Sequence, residues 1–158
     1  MTIENYTNKS IRPAARAVML FDKEIVLLKD LSLLEPNYAL PGGGIEFGES
    51  AREALRRELI EEIGIDLSIG RFLGCFEQSF EHHRLGLLHD LTLCFLVILS
   101  AEEKAQVISQ EEGYQVCWIT INDLATLNLV PPQLPELLLE WIEHDMNRAF
   151  KSSFNGDG

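Results

Sequence analysis

The chain has 158 residues, the length of one domain of roughly 100–200 residues, and its 46% apolar and 24% charged content excludes wholesale disorder. Thirteen Lys and Arg against 25 Asp and Glu leave a net charge of −12, which argues against nucleic-acid polymers and anionic membranes as partners. A small phosphorylated ligand stays open, because a divalent cation can bridge acid to phosphate.

In chain order, residues 1–11 read as a flexible leader and 12–150 as a single domain. Residues 151–158, small and polar, are expected to be a disordered tail. Ala14–Phe21 and Glu24–Lys29 are apolar-rich runs about Asp22-Lys23, the pattern of a hairpin. Tyr38-Ala39-Leu40 predicts a short strand, stopped by the loop Pro41-Gly42-Gly43-Gly44. Ser50 to Ile63 has helical spacing, with Ala51, Ala54, Leu55, Leu59 and Ile63 as its apolar set and Gly64 as its terminator. Arg71–Phe80 and Leu87–Leu99 predict long strands joined by Glu81-His82-His83-Arg84. Residues 101–112 read as a polar connection, and Tyr114–Ile119 as a strand. Thr120 is placed to cap a short helix through Leu127. After Pro131-Pro132, Leu134–Phe150 predicts an amphipathic helix that packs on the sheet, a homodimer face being the alternative.

Central strands flanked by helices predict an α+β fold, a mixed sheet in an α/β/α sandwich. The longest apolar run, Leu91–Leu99, is far short of the ~20 residues that span a bilayer. Residues 1–10 carry no apolar secretory segment. Cys75, Cys94 and Cys117 are odd in number and lie in apolar stretches, as reduced thiols of a cytoplasmic protein would.

The predicted helix carries the chemistry. At about 100° per residue, Glu62 lies ~40° from Glu58 and Glu61 ~60° from it, so three carboxylates share one face. Like charges four residues apart repel, and a solvated helix would alternate Glu with Lys. Glu62 also falls between Ala51 and Leu55 on the core-facing stripe, where a carboxylate needs a partner. A hard divalent cation, Mg2+ or Mn2+, suits such a cluster. Gly42-Gly43-Gly44 lets backbone approach a ligand closely at the start of a helix, a place that favours anions. Arg57 sits among the carboxylates, with Glu53 and Glu61 at helix-pair spacing, and can orient them.

The order Gly43, five residues, Glu49, seven residues, Arg57-Glu58-Leu59, one residue, Glu61-Glu62, one residue, Gly64-Ile65 resembles the Nudix box at every constrained position. Chance would produce it on the order of once in a million chains of this composition. The resemblance implies a metal-dependent pyrophosphohydrolase that directs water onto phosphorus in a nucleoside diphosphate linked to another moiety. A nucleoside triphosphate or a broad range of nucleotides is the expected substrate. A nucleotide-binding or regulatory domain with little turnover is the alternative. Carried over by residue, Glu58, Glu61, Glu62 and the Gly43 carbonyl would bind Mg2+ or Mn2+. Glu49 and Arg57 would orient them, and Glu46 would approach the metal through water. A general base would come from the box or from a later loop, where Glu111 and Glu112 are candidates and Glu112 is preferred.

Arg16 and Lys29 outside the box, and Gly44 within it, are candidate substrate contacts. His82, His83 and Arg84 are alternatives for a pocket wall or an exposed turn. Phe80 and Tyr38 are placed either to stack on a base or to pack in the core.

Overall fold

The computed structural model describes residues 10–82, 86–143 and 150–152. Along the chain come β1 (Ile11–Phe21), β2 (Glu24–Asp30), β3 (Tyr38–Ala39), β4 (Gly42–Gly44), α1 (Ala51–Ile63), β5 (Phe72–His82) and β6 (Gly86–Ile98). Then follow α2 (Ala101–Gln106), β7 (Tyr114–Thr120), a 3-10 helix (Ile121–Thr126), α3 (Leu134–Glu143) and β8 (Phe150–Ser152). The predicted turn residues His83 and Arg84 lie outside the described residues.

Among the described residues the sheet order is β3-β2-β1-β6-β5-β8, with β4 also on β1 and β7 also on β2. Antiparallel hairpins join β1 to β2 and β5 to β6, while β1 and β6 run parallel from Ile11↔His89 to Leu20↔Ile98. Alternation along β1 divides its side chains between two layers. Ala15, Ala17 and Met19 meet Leu55, Leu59 and Ile63 of α1 on one face. Val18 and Leu20 meet Leu134, Leu137, Leu138 and Trp141 of α3 on the other. The α3 residues repeat at i, i+3, i+4 and i+7, and each buried leucine contributes about 1.5–3 kcal/mol. The apolar stripe of α3 is thus spent on the sheet, giving the expected sandwich with helices on both sides.

α1 begins where its sequence says it should. The Ser50 hydroxyl accepts from the Glu53 amide, and the Glu53 carboxylate accepts from the Ser50 amide at 2.8 Å. Gly64 ends it in the left-handed conformation, φ 76.

The structure differs from the sequence expectations in several places. The glycine loop is a strand, because β1 offers a free backbone edge that residues without Cβ can approach. Part of the connection expected over 101–112 is the helix α2, nucleated by a second capping box from Ser100 and Glu103. The helix after Thr120 is 3-10. Thr120 makes no capping bond to its backbone; its hydroxyl donates to the Asp123 carboxylate instead. Glu143 is the last described residue of α3, and Phe150, expected in that helix, starts β8. Lys151 and Ser152, assigned to the tail, pair with Phe76 and Glu77 of β5. Ile11, assigned to the leader, already pairs with His89. Backbone ladders of this kind need no apolar pattern, so the sequence carries no signal for them.

Candidate active site

β4 lies antiparallel on β1, with Ala15 opposite Gly43 and Arg16 opposite Gly42. Gly42 has φ +124, and a Cβ there would fall 2.2 Å from the Ala15 carbonyl oxygen. Only glycine allows that approach. It brings the Gly42 peptide between β1 and α1. The Gly42 amide donates to the Glu62 carboxylate at 2.7 Å, and its carbonyl accepts from the Arg16 guanidinium. Arg16 also donates to the Leu40 carbonyl at 3.0 Å.

Glu62 is 8% exposed, as its place on the core-facing stripe requires. Burial pushes its carboxyl up to about 7, against the pull of Arg16 and the Gly42 amide. The negative charges of Glu58 and Glu111 push the same way as burial. Glu111 follows Gln110, whose amide donates to the Glu62 carbonyl at 2.8 Å. Glu112 stands exposed beside it.

Arg57 organises the helix face. Its Nη2 donates to Glu49 at 2.7 Å and to the Gly44 carbonyl at 3.0 Å. Its Nη1 donates to Glu58 at 2.9 Å and stands 3.5 Å from Glu61. Glu53, at helix-pair spacing from Arg57, is taken by the capping box instead. Arg57 and the Glu46 amide, 2.8 Å away, hold the Glu49 carboxyl below the usual carboxylate range. Glu58 packs directly on Gly43, where a Cβ would come within 2.5 Å of its carboxyl. Glu61 is half-exposed and Glu46 exposed. Glu49, Arg57, Glu58 and the Gly44 carbonyl thus form one hydrogen-bonded network, and Glu62 joins the same glycine strand at Gly42. Among the described residues, no three His, Cys, Asp or Glu side chains converge closely enough to hold a metal ion. Glu62 is turned to Gly42 and Glu58 to Arg57.

On the α3 side of the same glycine strand lies a cavity of about 240 Å3. Arg16 and Leu40 line it, joined by Phe76, Phe80, Asp90 and Thr92 among others. Lys29 lies elsewhere, in β2 opposite Gln115 and Tyr38, and its charge bears on Cys117.

Residues 11–141 match the family model described as the NUDIX domain. The chain belongs to the Nudix hydrolase family. Nucleoside triphosphatase NudI of Enterobacter sp. (strain 638) is 30% identical over 106 residues, 65% of this chain and 75% of that protein. Diphosphoinositol polyphosphate phosphohydrolase 3-beta of Homo sapiens is 36% identical over 91 residues, 58% of this chain and 55% of that one. The crystal structure of a MutT protein from Methanosarcina mazei Go1 superposes with a TM-score of 0.67 at 21% identity, covering 86% of this chain and 96% of that one. It shares the fold.

In this Nudix hydrolase, one feature of the cavity escapes the sequence. Arg12 donates to Asp90 through Nε at 2.7 Å and Nη2 at 2.9 Å. The two residues are 78 positions apart and become neighbours only through the parallel pairing of β1 and β6. No local pattern announces such a pair.

Proposed function

We propose that this Nudix hydrolase is a divalent-cation-dependent pyrophosphohydrolase acting on a nucleoside triphosphate or a related nucleoside diphosphate derivative. The observation that carries the reading is the junction of the acidic face with the glycine strand: the Gly42 amide on Glu62, Glu58 against Gly43, and Arg57 on Glu49, Glu58 and the Gly44 carbonyl. Glu58, Glu61, Glu62 and the Gly43 carbonyl are the residues that would hold Mg2+ or Mn2+, and an all-oxygen donor set fits such hard ions. When bound, the ion supplies neutralisation of phosphate charge and acidification of a bound water.

The chain's own residues do the rest. Arg57 ties Glu58 and Glu49 to the Gly44 carbonyl and so keeps the acidic face in register with the glycine strand. Arg16 fixes the Gly42 and Leu40 carbonyls and lines the cavity that adjoins them. For the general base, Glu112 and its neighbour Glu111 are the candidates, both exposed just after Gln110, whose amide donates to the Glu62 carbonyl. The relative named as a nucleoside triphosphatase supports the substrate class.

No described helix is long and apolar enough to cross a membrane. The free thiols Cys75, Cys94 and Cys117 support a reducing, cytoplasmic setting.

The test is a hydrolysis screen of canonical and oxidised nucleoside triphosphates, ADP-ribose, NADH, dinucleoside polyphosphates and nucleotide sugars with Mg2+ and with Mn2+. Products are identified by mass. We expect one preferred nucleotide, with turnover abolished by chelator and by Glu62→Gln. Negligible turnover on every nucleotide, with tight binding of one, would replace this reading by a nucleotide-binding domain.

A further inference from the structure

We propose that Ser109 is a positioning residue: its hydroxyl closes the Glu111–Tyr114 turn and thereby fixes Glu111 and Glu112 against the acidic end of α1. This rests on the function proposed above and names a side chain that governs its general base.

The segment between α2 and β7 is fastened to α1 through backbone. The Ile108 amide donates to the Ile63 carbonyl at 3.2 Å, and the Gln110 amide to the Glu62 carbonyl at 2.8 Å. These carbonyls belong to the last turn of the helix and have no partner within it. The Gln110 side chain lies over Gly64, where a Cβ would fall 2.7 Å from its Nε2. Farther along, the Leu31 amide donates to the Gly113 carbonyl at 2.8 Å. Glu62 therefore holds two neighbours at once. Its carbonyl takes this segment, and its carboxylate takes the Gly42 amide.

Between those anchors the turn closes only weakly by itself. The Tyr114 amide reaches the Glu111 carbonyl at 3.4 Å, long for a backbone bond. Gly113, at φ 87, takes the second central position. The Ser109 hydroxyl donates to the Tyr114 carbonyl at 2.8 Å and stands 3.4 Å from the Glu111 carbonyl. One hydroxyl thus touches both ends of the turn. The anchors to α1 and β2 are backbone bonds that survive a change of side chain, whereas this one depends on Ser109.

Charge makes the tie matter. Glu111 and Glu112 are exposed, and the charge of Glu111 opposes that of Glu62. In a chain of net charge −12, such repulsion pushes the turn outward. A general base must stay within hydrogen-bond reach of the water it deprotonates, and a displacement of about 1 Å costs on the order of a hundredfold in rate. The Ser109 bond opposes that drift without adding charge.

The test measures kcat and KM with Mg2+ on the fastest substrate among the nucleotides of the screen above. Ser109→Ala should lower kcat by on the order of tenfold, with KM and Tm little changed. Ser109→Thr keeps the hydroxyl and should retain most of the wild-type kcat. Glu111→Gln and Glu112→Gln are then each combined with Ser109→Ala. In the background that lacks the base, Ser109→Ala should cost nothing further, because a positioning residue acts only through the group it positions. A merely structural role would add its loss in both backgrounds. If Ser109→Ala does not fold, Gly113→Ala carries the test. It strains the same turn at φ 87 while its Cβ meets no neighbour, and it should show the same loss and the same non-additivity. Wild-type kcat in the folded variant, equal losses in Ser109→Ala and Ser109→Thr, or additive losses in both backgrounds overturn the proposal. So does undiminished kcat in both Glu111→Gln and Glu112→Gln. A wild type inert on every nucleotide sinks the proposed reaction and this inference with it. Hydrolysis by wild type with any of the other adverse outcomes sinks this inference alone.

Discussion

Glu62 and Gly42, 20 residues apart, are joined by a hydrogen bond of 2.7 Å from amide to carboxylate. The other side of the same glycine, its carbonyl, is held by Arg16. One residue without a side chain thus links the acidic face of α1 to the arginine of the cavity. Its lack of a Cβ is what allows the link, since a Cβ would overlap the Ala15 carbonyl.

The two neighbouring glycines should respond differently to alanine. Gly42→Ala forces a side chain against backbone at φ +124 and should destabilise the fold by roughly 3 kcal/mol or more. Gly43→Ala meets only the flexible end of Glu58. It should cost little stability while lowering kcat by on the order of a hundredfold, through displaced Glu58. Urea melts and steady-state kinetics of both variants separate the effects. Equal loss of stability would remove the distinction.

Without metal, Glu62 makes stability depend on pH. Its carboxyl titrates at about 7 in the fold against an ordinary value of 4.5. The folded chain therefore holds this proton more tightly than the unfolded chain. The resulting stability is fully present below about pH 4.5 and is lost as pH rises through about 7. A shift of this size amounts to something on the order of 3 kcal/mol. In chelator, Glu62→Gln should abolish this slope and melt higher than wild type at neutral pH. Parallel Tm profiles for the two proteins across that range would show that Glu62 does not titrate as described.

Mg2+ or Mn2+ should raise the Tm of wild type in a saturable manner, since an ion that binds only the fold adds about 2.7 kcal/mol at a hundred times its Kd. Glu58→Gln and Glu61→Gln should weaken that response while leaving the metal-free fold intact. A full response in both would remove these residues from the proposed donor set.

Arg57→Lys should fail to replace arginine. The guanidinium reaches Glu49, Glu58 and the Gly44 carbonyl simultaneously, a planar fork that an ammonium does not reproduce. Turnover should fall by roughly tenfold to a hundredfold with the Tm little changed. Wild-type kcat in Arg57→Lys would reduce Arg57 to a surface ion pair.

Ser50→Ala removes the hydroxyl that caps α1 and should cost about 1 kcal/mol in a urea melt. No change in midpoint would mean that the first turn frays without penalty.

Much of the site is local, and so was readable without coordinates. The spacing of Glu58, Glu61 and Glu62 put three carboxylates on one helix face, and the angular position of Glu62 demanded its burial. Ser50 and Gly64 bounded the helix, and apolar-rich runs about Asp22-Lys23 announced the first hairpin. These features depend on a few residues of neighbouring chain, where period and capping chemistry act directly. The tertiary structure decided what lies across the sheet. It turned the glycine loop into a strand on β1, set Arg16 on the Gly42 carbonyl, gave Glu53 to a cap rather than to Arg57, and brought Arg12 to Asp90. Each of those partners is chosen by strand register and by the close approach of backbones distant in sequence. Such pairing leaves no period in the chain, because a backbone edge accepts almost any residue whose side chain does not obstruct it.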